Sequence, residues 1–110
     1  MEIDDAVTRF AALAAPSRIE IVRLLAMESG PDGMPSGDIA EKLHVKQNTM
    51  STQLLVLSNA RVVRSRRAGR QIIYRLDLAA LAELSEFIIE ECSAGKIEQG
   101  SERRPVRRAG

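Results

Sequence analysis

The sequence predicts a mainly helical domain that carries one β-hairpin, with elements in the order α-α-α-α-β-β-α. Three observations support this fold class: apolar residues recur at helical spacing before residue 60, an arginine-rich segment then has strand composition, and a last apolar helix follows. At 110 residues, the chain is long enough for one domain with a modest core. We assign residues 1–95 to this domain.

The first two helices are predicted from their apolar spacing. Ile3, Val7, Phe10 and Ala14 recur at intervals of four, three and four residues, which gives the first helix one apolar stripe. Pro16 opens the second helix, at the position where a missing backbone N–H is least harmful. The second helix is apolar on more than one side, as expected for a core helix, through Ile19, Ile21, Val22, Leu24 and Leu25.

The third and fourth helices are predicted on either side of a tight turn. A linker that contains Gly and Pro at residues 28–36 ends the second helix without dividing the chain into two domains. We expect the Ser36 hydroxyl to cap the third helix, with Asp38 in its first turn. The fourth helix opens at Lys46 or Gln47.

The fourth helix has two different faces. At about 100° per residue, Met50, Leu54 and Leu57 share an inward stripe. The opposite stripe is almost uncharged and consists mainly of short hydrogen-bonding side chains: Asn48, Thr52, Leu55 and Asn59, flanked by Thr49 and Ser51. Asn can bond adenine bidentately, and Ser or Thr can bond bases and phosphates, so this stripe suits a major groove of DNA. A polar face that is simply solvated is the alternative.

The segment after the fourth helix is predicted to form an arginine-rich hairpin. Its strand character comes from β-branched and aromatic residues: Val62, Val63, Ile72, Ile73 and Tyr74. We expect the turn at Ala68 and Gly69. Five arginines and no carboxylate surround this turn: Arg64, Arg66, Arg67, Arg70 and Arg75. Guanidinium groups on a protruding ribbon suit contacts with phosphates or insertion into a minor groove.

The net charge of +1 hides an uneven distribution. Residues 46–76 contain seven basic and no acidic side chains, whereas residues 1–45 contain four basic and eight acidic ones. Residues 77–102 contain one basic and seven acidic side chains, and residues 103–110 contain four arginines. Positive charge is therefore concentrated on the predicted DNA-binding elements. We expect residues 96–110 to form a basic, disordered tail.

Three stretches, in order, resemble one bacterial family. ALAAPSRIEIVRLL, DIAEKLHVKQNTMSTQLLVL and VVRSRRAGRQIIYRL are similar to the ArsR/SmtB family of winged-helix transcriptional regulators. The resemblance implies a winged helix-turn-helix fold and a homodimeric repressor that binds an inverted-repeat operator in double-stranded DNA. It places the recognition helix over Gln47, Asn48, Thr49, Ser51, Thr52 and Gln53. It places wing contacts at Arg67 and Arg70, and we add Arg64 and Arg66 of the same hairpin to the candidate DNA-binding set.

The last helix is predicted from its apolar residues, which are Leu78, Leu81, Leu84, Phe87, Ile88 and Ile89. In so small a chain, the first and last helices have few intrachain partners left. We expect them to pair across a two-fold axis, with Val7, Phe10, Leu84 and Ile88 in the dimer interface. A monomeric three-layer core is the alternative.

The sequence says least about the signal that the protein senses. Zinc usually takes four N or S ligands, and His44 and Cys92 lie far apart in the predicted fold, so we expect no metal and no cofactor. Arsenical-sensing relatives carry adjacent cysteines in this region, whereas here Ser93 follows Cys92. Cys92 is a candidate thiol sensor, through a disulfide to the partner or a sulfenic acid. A cysteine that simply fills an apolar stripe is the alternative.

Two positions depart from the family pattern. Leu55 stands where relatives often have a basic residue, which removes one phosphate contact. Arg61 follows the recognition helix where Gly is common, and a left-handed backbone there would cost roughly 1 kcal/mol.

The remaining function classes are poorly supported. One His, one Cys and no glycine-rich phosphate loop argue against an enzyme. Neither a secretory signal nor an apolar run of membrane-spanning length is present, so we expect a cytoplasmic protein without a membrane partner. The sequence therefore predicts a transcriptional regulator. The alternative is a dimeric protein-interaction module that has kept the fold and lost specific operator binding.

Overall fold

The computed structural model describes residues 1–93, and the predicted tail at residues 96–110 lies outside them. Within this range, the five helices are α1 (Ile3–Leu13), α2 (Pro16–Glu28), α3 (Ser36–Leu43), α4 (Gln47–Asn59) and α5 (Leu78–Ser93). The three strands are β1 (Met34–Pro35), β2 (Val63–Ala68) and β3 (Gln71–Leu76). The predicted order of helices and hairpin is confirmed. Strand β1 is an element that the sequence patterns did not reveal. No helix in residues 1–93 has the length and apolar character needed to cross a membrane.

The hairpin has its turn one residue later than predicted. Strands β2 and β3 pair in antiparallel fashion as far as Ala68 and Gln71, so the turn residues are Gly69 and Arg70. Gly69 has a φ of +66°, which is the conformation that the first central residue of a type II′ turn requires. Ala68 therefore belongs to the strand.

The linker after α2 is attached to the edge of the sheet. Met34 and Pro35 form β1, which pairs with β3 and gives the sheet the order β1-β3-β2. Gly33 has a φ of +94°, and a Cβ at this position would lie 2.5 Å from the Tyr74 carbonyl oxygen. A larger residue could not make this approach, so Gly33 allows the linker to reach the sheet.

The core lies between α2, α3, α4 and the sheet. Its largest fully buried side chains are Ile21, Ile39, Met50, Leu54, Leu57, Val62 and Val63. Helix α1 behaves differently, because it buries Ala6 and Ala12 and leaves Ile3, Val7 and Phe10 exposed. The apolar stripe of α1 is therefore left outside the core of the subunit.

The ends of α3 and α4 show one wrong prediction and one residue in a left-handed conformation. Ser36 is the first residue of α3 and makes no capping hydrogen bond, because Pro35 takes the cap position. The Ser36 hydroxyl oxygen instead accepts a bond from Gln47 Nε2 at 3.3 Å. Arg61 has a φ of +65°, as expected for the left-handed residue that separates α4 from the hairpin. Its backbone N–H donates to the Ser58 carbonyl, which fixes the end of α4.

Candidate nucleic-acid interface

Helix α4 separates buried and exposed residues as its spacing predicts. Met50, Leu54 and Leu57 are fully buried in the core. The opposite surface, which we call the outer stripe, consists of exposed residues: Asn48, Thr52, Leu55 and Asn59, flanked by Thr49 and Ser51. This stripe carries no formal charge, and it offers amide and hydroxyl groups with one large apolar side chain, Leu55.

Hydrogen bonds within the helix pair orient the side chains at the start of α4. Gln47 Nε2 donates to the hydroxyl oxygens of Ser36 at 3.3 Å and Ser51 at 3.4 Å. Asn48 Oδ1 accepts the backbone N–H of Thr49 at 2.8 Å. The Asn48 amide NH₂ group has no partner among residues 1–93, so two donors remain available at the exposed end of the helix.

Gln53 is positioned differently from the other predicted DNA-binding residues. It is only half-exposed, and its Oε1 accepts hydrogen bonds from Arg18 Nη1 at 3.0 Å and from the Ser17 hydroxyl at 3.3 Å. Both donors belong to α2. The Gln53 side chain therefore joins α4 to α2, a use that its place on the helical wheel did not reveal.

Strand pairing divides the arginines of the wing, which we define as residues 63–76. Side chains alternate between the two faces of a strand, and directly paired residues share a face. Arg64 and Arg66 therefore lie on one face with Arg75, whereas Arg67 lies on the opposite face, which carries the buried Val63. All four of these arginines are exposed.

The arginines near the tip of the wing make only long contacts within the chain. Arg66 Nη2 donates to the Asp32 carbonyl at 3.4 Å, and Arg67 Nη1 donates to the Gly69 carbonyl at 3.5 Å. Arg70 makes no side-chain hydrogen bond or ion pair with residues 1–93. The guanidinium groups of Arg67 and Arg70 therefore keep most of their donors for an external acceptor.

Arg64 lies closest to a carboxylate. Its Nε is 3.9 Å from Asp77 Oδ2, and the other carboxylate oxygen of Asp77 accepts the backbone N–H of Ala80 at 3.0 Å. An ion pair of this length with a largely exposed arginine is weak. Arg64 thus has a carboxylate partner, which Arg67 and Arg70 lack among the described residues.

Two arginines outside the predicted site contact α4 from behind. Arg9 of α1 is 7% exposed and donates to the Ala60 carbonyl at the end of α4. Arg18 of α2 bonds Gln53 in the middle of α4. Sequence reasoning missed both. For Arg9, one signal was available: Ala6 and Ala12, at the helical spacing that shares its face, leave room for a neighbouring element to approach closely.

Arg9 also changes the acidity of its partner on α5. Arg9 Nη1 is 2.9 Å from Glu83 Oε1. This hydrogen bond, helped by the positive charge of Arg9, lowers the pKa of the Glu83 carboxyl below its ordinary value.

Comparison with known proteins supports this organisation. A helix-turn-helix domain model matches residues 13–66. The chain is 42% identical over 78 residues to the HTH-type transcriptional regulator NmtR of Mycobacterium tuberculosis. The matched region covers 71% of this chain and 62% of NmtR. It therefore spans less than two thirds of that relative. The chain is also 31% identical over 86 residues to the transcriptional repressor SdpR of Bacillus subtilis. This matched region covers 78% of this chain and 91% of SdpR. The chain belongs to the ArsR/SmtB family of winged-helix transcriptional regulators.

Solved structures agree with the fold expected of this family. An ArsR-like transcriptional regulator from Rhodococcus matches with a TM-score of 0.69 at 24% identity, over 92% of this chain and 96% of that chain. The homodimeric winged helix-turn-helix DNA-binding domain from Mycobacterium bovis matches with a TM-score of 0.66 at 21% identity, over 93% of this chain and 90% of that chain. The predicted winged helix-turn-helix fold is confirmed.

The four residues predicted for the dimer interface differ in how exposed they are. Val7, Phe10 and Ile88 are 57%, 37% and 40% exposed, so they form apolar surface on α1 and α5. Leu84 is only 5% exposed within the described subunit, so it offers little surface to a partner. It lies one turn after Ala80, whose carbonyl accepts a bond from α1, and this face of α5 is covered by its own subunit.

The candidate sensor residue lies at the far end of α5. Cys92 is exposed in the last turn of the helix. Within residues 1–93, no group of three or more His, Cys, Asp or Glu side chains comes together in a way that could hold a metal ion.

Proposed function

We propose that this protein is a homodimeric, sequence-specific DNA-binding regulator. The observation that carries the proposal is the pairing of an uncharged, exposed outer stripe on α4 with an adjacent wing whose exposed arginines have few acceptors of their own. An uncharged polar helix suits base edges, and a cationic ribbon suits phosphates. Membership in a family of transcriptional regulators supports the same function.

In this proposal, the first two turns of α4 read bases in the major groove. Asn48 supplies free amide donors, and Thr49, Ser51 and Thr52 supply short hydroxyl groups beside it. Gln47 supplies its carbonyl oxygen, because its amide nitrogen already bonds Ser36 and Ser51. Gln53 has a smaller part, because Arg18 and Ser17 already occupy its carbonyl oxygen.

The wing supplies contacts that do not depend on sequence. Arg67 and Arg70 are the strongest candidates, since neither has a close acceptor in the described chain. Arg66 is bonded only to a backbone carbonyl at 3.4 Å, and Arg64 is partly engaged by Asp77. We therefore expect phosphate binding to weaken in the order Arg70 and Arg67, then Arg66, then Arg64.

The dimer is proposed to form through α1 and α5. Val7, Phe10 and Ile88 lie exposed together with Ile3 and Ile89, and apolar surface of this kind on two helices is typical of an interaction site. The M. bovis domain of the same fold is described as homodimeric. A two-fold axis would present two α4 helices to successive major grooves about 10 base pairs apart, on an inverted repeat.

Repression is the proposed outcome of binding, because the relative SdpR is named a repressor and a dimer on a promoter excludes other proteins. Release by oxidation of Cys92 remains a prediction. It is tested by measuring DNA binding of the protein and of Cys92→Ser with and without hydrogen peroxide: only the parent protein should lose affinity.

Selection of duplexes from a random pool tests the proposed function. The purified protein should enrich an inverted repeat, and binding to it should be stronger than to random DNA by at least about 1,000-fold at physiological salt. Asn48→Ala should reduce this preference by about tenfold with little change on random DNA. Enrichment of no sequence by a dimeric protein would instead favour a protein-interaction module.

A further inference from the structure

We propose that Arg9 and Arg18 are positioning residues that set the direction of α4 relative to α1, and thereby the half-site spacing that the dimer accepts. The inference rests on the proposed function, since it concerns how two α4 helices are presented to one operator. It assigns a role to two side chains that touch neither DNA nor the partner subunit in that proposal.

Arg9 connects three elements through one buried guanidinium group. Its Nε donates to the Ala60 carbonyl at 3.2 Å, and Nη1 donates to the Ala80 carbonyl at 3.1 Å and to Glu83 Oε1 at 2.9 Å. Ala60 is the residue that caps the C-terminal end of α4. Carbonyls at a helix end lack helical partners, and a cation is favourable there. Arg9 therefore anchors the end of α4 to α1 and α5 together.

Arg18 makes the second anchor. Its Nε donates to the Ala12 carbonyl at 2.6 Å and Nη2 to the Ala11 carbonyl at 3.3 Å, both near the C-terminal end of α1. Its Nη1 donates to Gln53 Oε1 at 3.0 Å, in the middle of α4. One guanidinium group thus joins the end of α1 to the body of α4, with a fixed fork geometry that Lys lacks.

Two anchors define a direction where one would allow a pivot. Gln53 and Ala60 are seven residues apart, which is about two turns or 10 Å along the axis of α4. Ala60 is bonded by Arg9, on the buried face of α1, and Gln53 is bonded by Arg18, which also bonds the C-terminal end of α1. The exposed surface of α1 carries Val7 and Phe10 of the proposed dimer interface. The two arginines therefore fix each α4 relative to the dimer axis, and this relation decides how far apart two half-sites must lie.

A purely stabilising role makes a different prediction. Loss of stability would lower the amount of folded protein and weaken binding to every duplex by the same factor. Loss of positioning would leave base recognition within a half-site unchanged and remove the preference for one spacing between half-sites. The two roles are distinguished by comparing the affinity of one variant for duplexes of different spacing. The affinity for a single duplex does not distinguish them.

The test uses the inverted repeat selected by the parent protein and versions lengthened or shortened at the centre by one and two base pairs. The parent protein should prefer the selected spacing by about tenfold or more over a two-base-pair change, because the two helices no longer meet successive grooves. Arg9→Lys, Arg9→Met and Arg18→Gln should reduce this preference to about threefold or less. Arg70→Gln, a wing variant, should weaken all spacings equally and keep the preference.

Each variant is also measured on a duplex with one base substitution in a half-site, and its dimeric state is measured by sedimentation. The penalty for the substitution should equal that of the parent protein. Spacing preferences that remain unchanged in dimeric Arg9→Lys and Arg18→Gln would overturn the inference. If Arg9→Met does not fold, these two milder variants decide the question, since Arg18 is half-exposed and Lys keeps the charge. A parent protein with no base preference would contradict the proposed function itself.

Discussion

Two groups of arginines within residues 1–93 have very different surroundings. Arg9 and Arg18 lie behind α4, and each donates three hydrogen bonds within the chain. The arginines near the tip of the wing are exposed, and their contacts are single bonds of 3.4 Å or longer. A guanidinium group whose donors are satisfied contributes to the structure, whereas one with unused donors is available to a ligand. Substitutions in the two groups should therefore change different measured quantities.

The largest expected effect is on stability, from Arg9→Met. The variant removes a buried guanidinium group that donates to the Ala60 and Ala80 carbonyls and to Glu83, so the free energy of unfolding should fall by about 3 kcal/mol. Urea unfolding at one fixed protein concentration measures the change, because dimerisation contributes to stability. The matched variant Arg70→Met should stay within about 0.5 kcal/mol of the parent protein. Similar losses of stability in Arg9→Met and Arg70→Met would mean that the buried and the exposed arginines contribute equally to the fold.

The sequence alone predicted the wing arginines as candidate ligand-binding residues, but it gave no indication that Arg9 and Arg18 bond α4. The wing arginines stand close together without carboxylates, so composition is sufficient to suggest an anion as their partner. Arg9 is a single charged residue in an amphipathic helix, where a solvated position is the ordinary outcome. Two of its three partners are backbone carbonyls far along the chain, and no side-chain pattern reveals a carbonyl.

The same limit applies to the apolar residues of α5 and to strand β1. Leu84 and Ile88 have the same apolar character and are one turn apart, yet their own subunit buries Leu84 and leaves Ile88 40% exposed. Helical spacing shows that a residue avoids water, but it does not show which chain provides the cover. Strand β1 has two residues, one of them Pro35, and it depends on the close approach at Gly33. Neither feature has a periodic signal.

The second expected effect is on DNA affinity, from Arg67→Ala and Arg70→Ala. Each should weaken binding to selected and random duplexes alike and reduce the slope of log affinity against log salt by about 1, because one phosphate contact is lost. Fluorescence anisotropy over a salt series measures both quantities. Arg23→Ala, at an exposed position on α2, is the control and should leave the slope unchanged. A loss confined to the selected duplex would assign these arginines to base recognition instead.

A smaller effect is expected from Arg64→Ala, which sharpens the comparison within the wing. Asp77 already engages Arg64, so its contribution to phosphate binding should be less than half that of Arg67, with a salt slope that changes by less than about 0.5. The same anisotropy series measures it. An effect as large as that of Arg67→Ala would show that the ion pair with Asp77 does not restrain Arg64 when DNA is bound.

The smallest expected effect is a pH dependence at the Arg9 cluster. The hydrogen bond from Arg9 lowers the pKa of Glu83 in the folded protein, so the ionised carboxylate stabilises the fold above its ordinary pKa of 4.5. This contribution should disappear as the pH falls below that value and Glu83 becomes protonated. Unfolding of the parent protein and Glu83→Gln should therefore differ at pH 7 and converge on the acid side.

Glu86→Gln, exposed on the same helix, should follow the parent protein throughout. Because Glu83 is about half-exposed and water screens its charge, the difference should be far smaller than that caused by Arg9→Met, whose carbonyl partners belong to buried residues. A difference between the parent protein and Glu83→Gln that persists unchanged in acid would mean that shape, and not charge, joins α5 to Arg9.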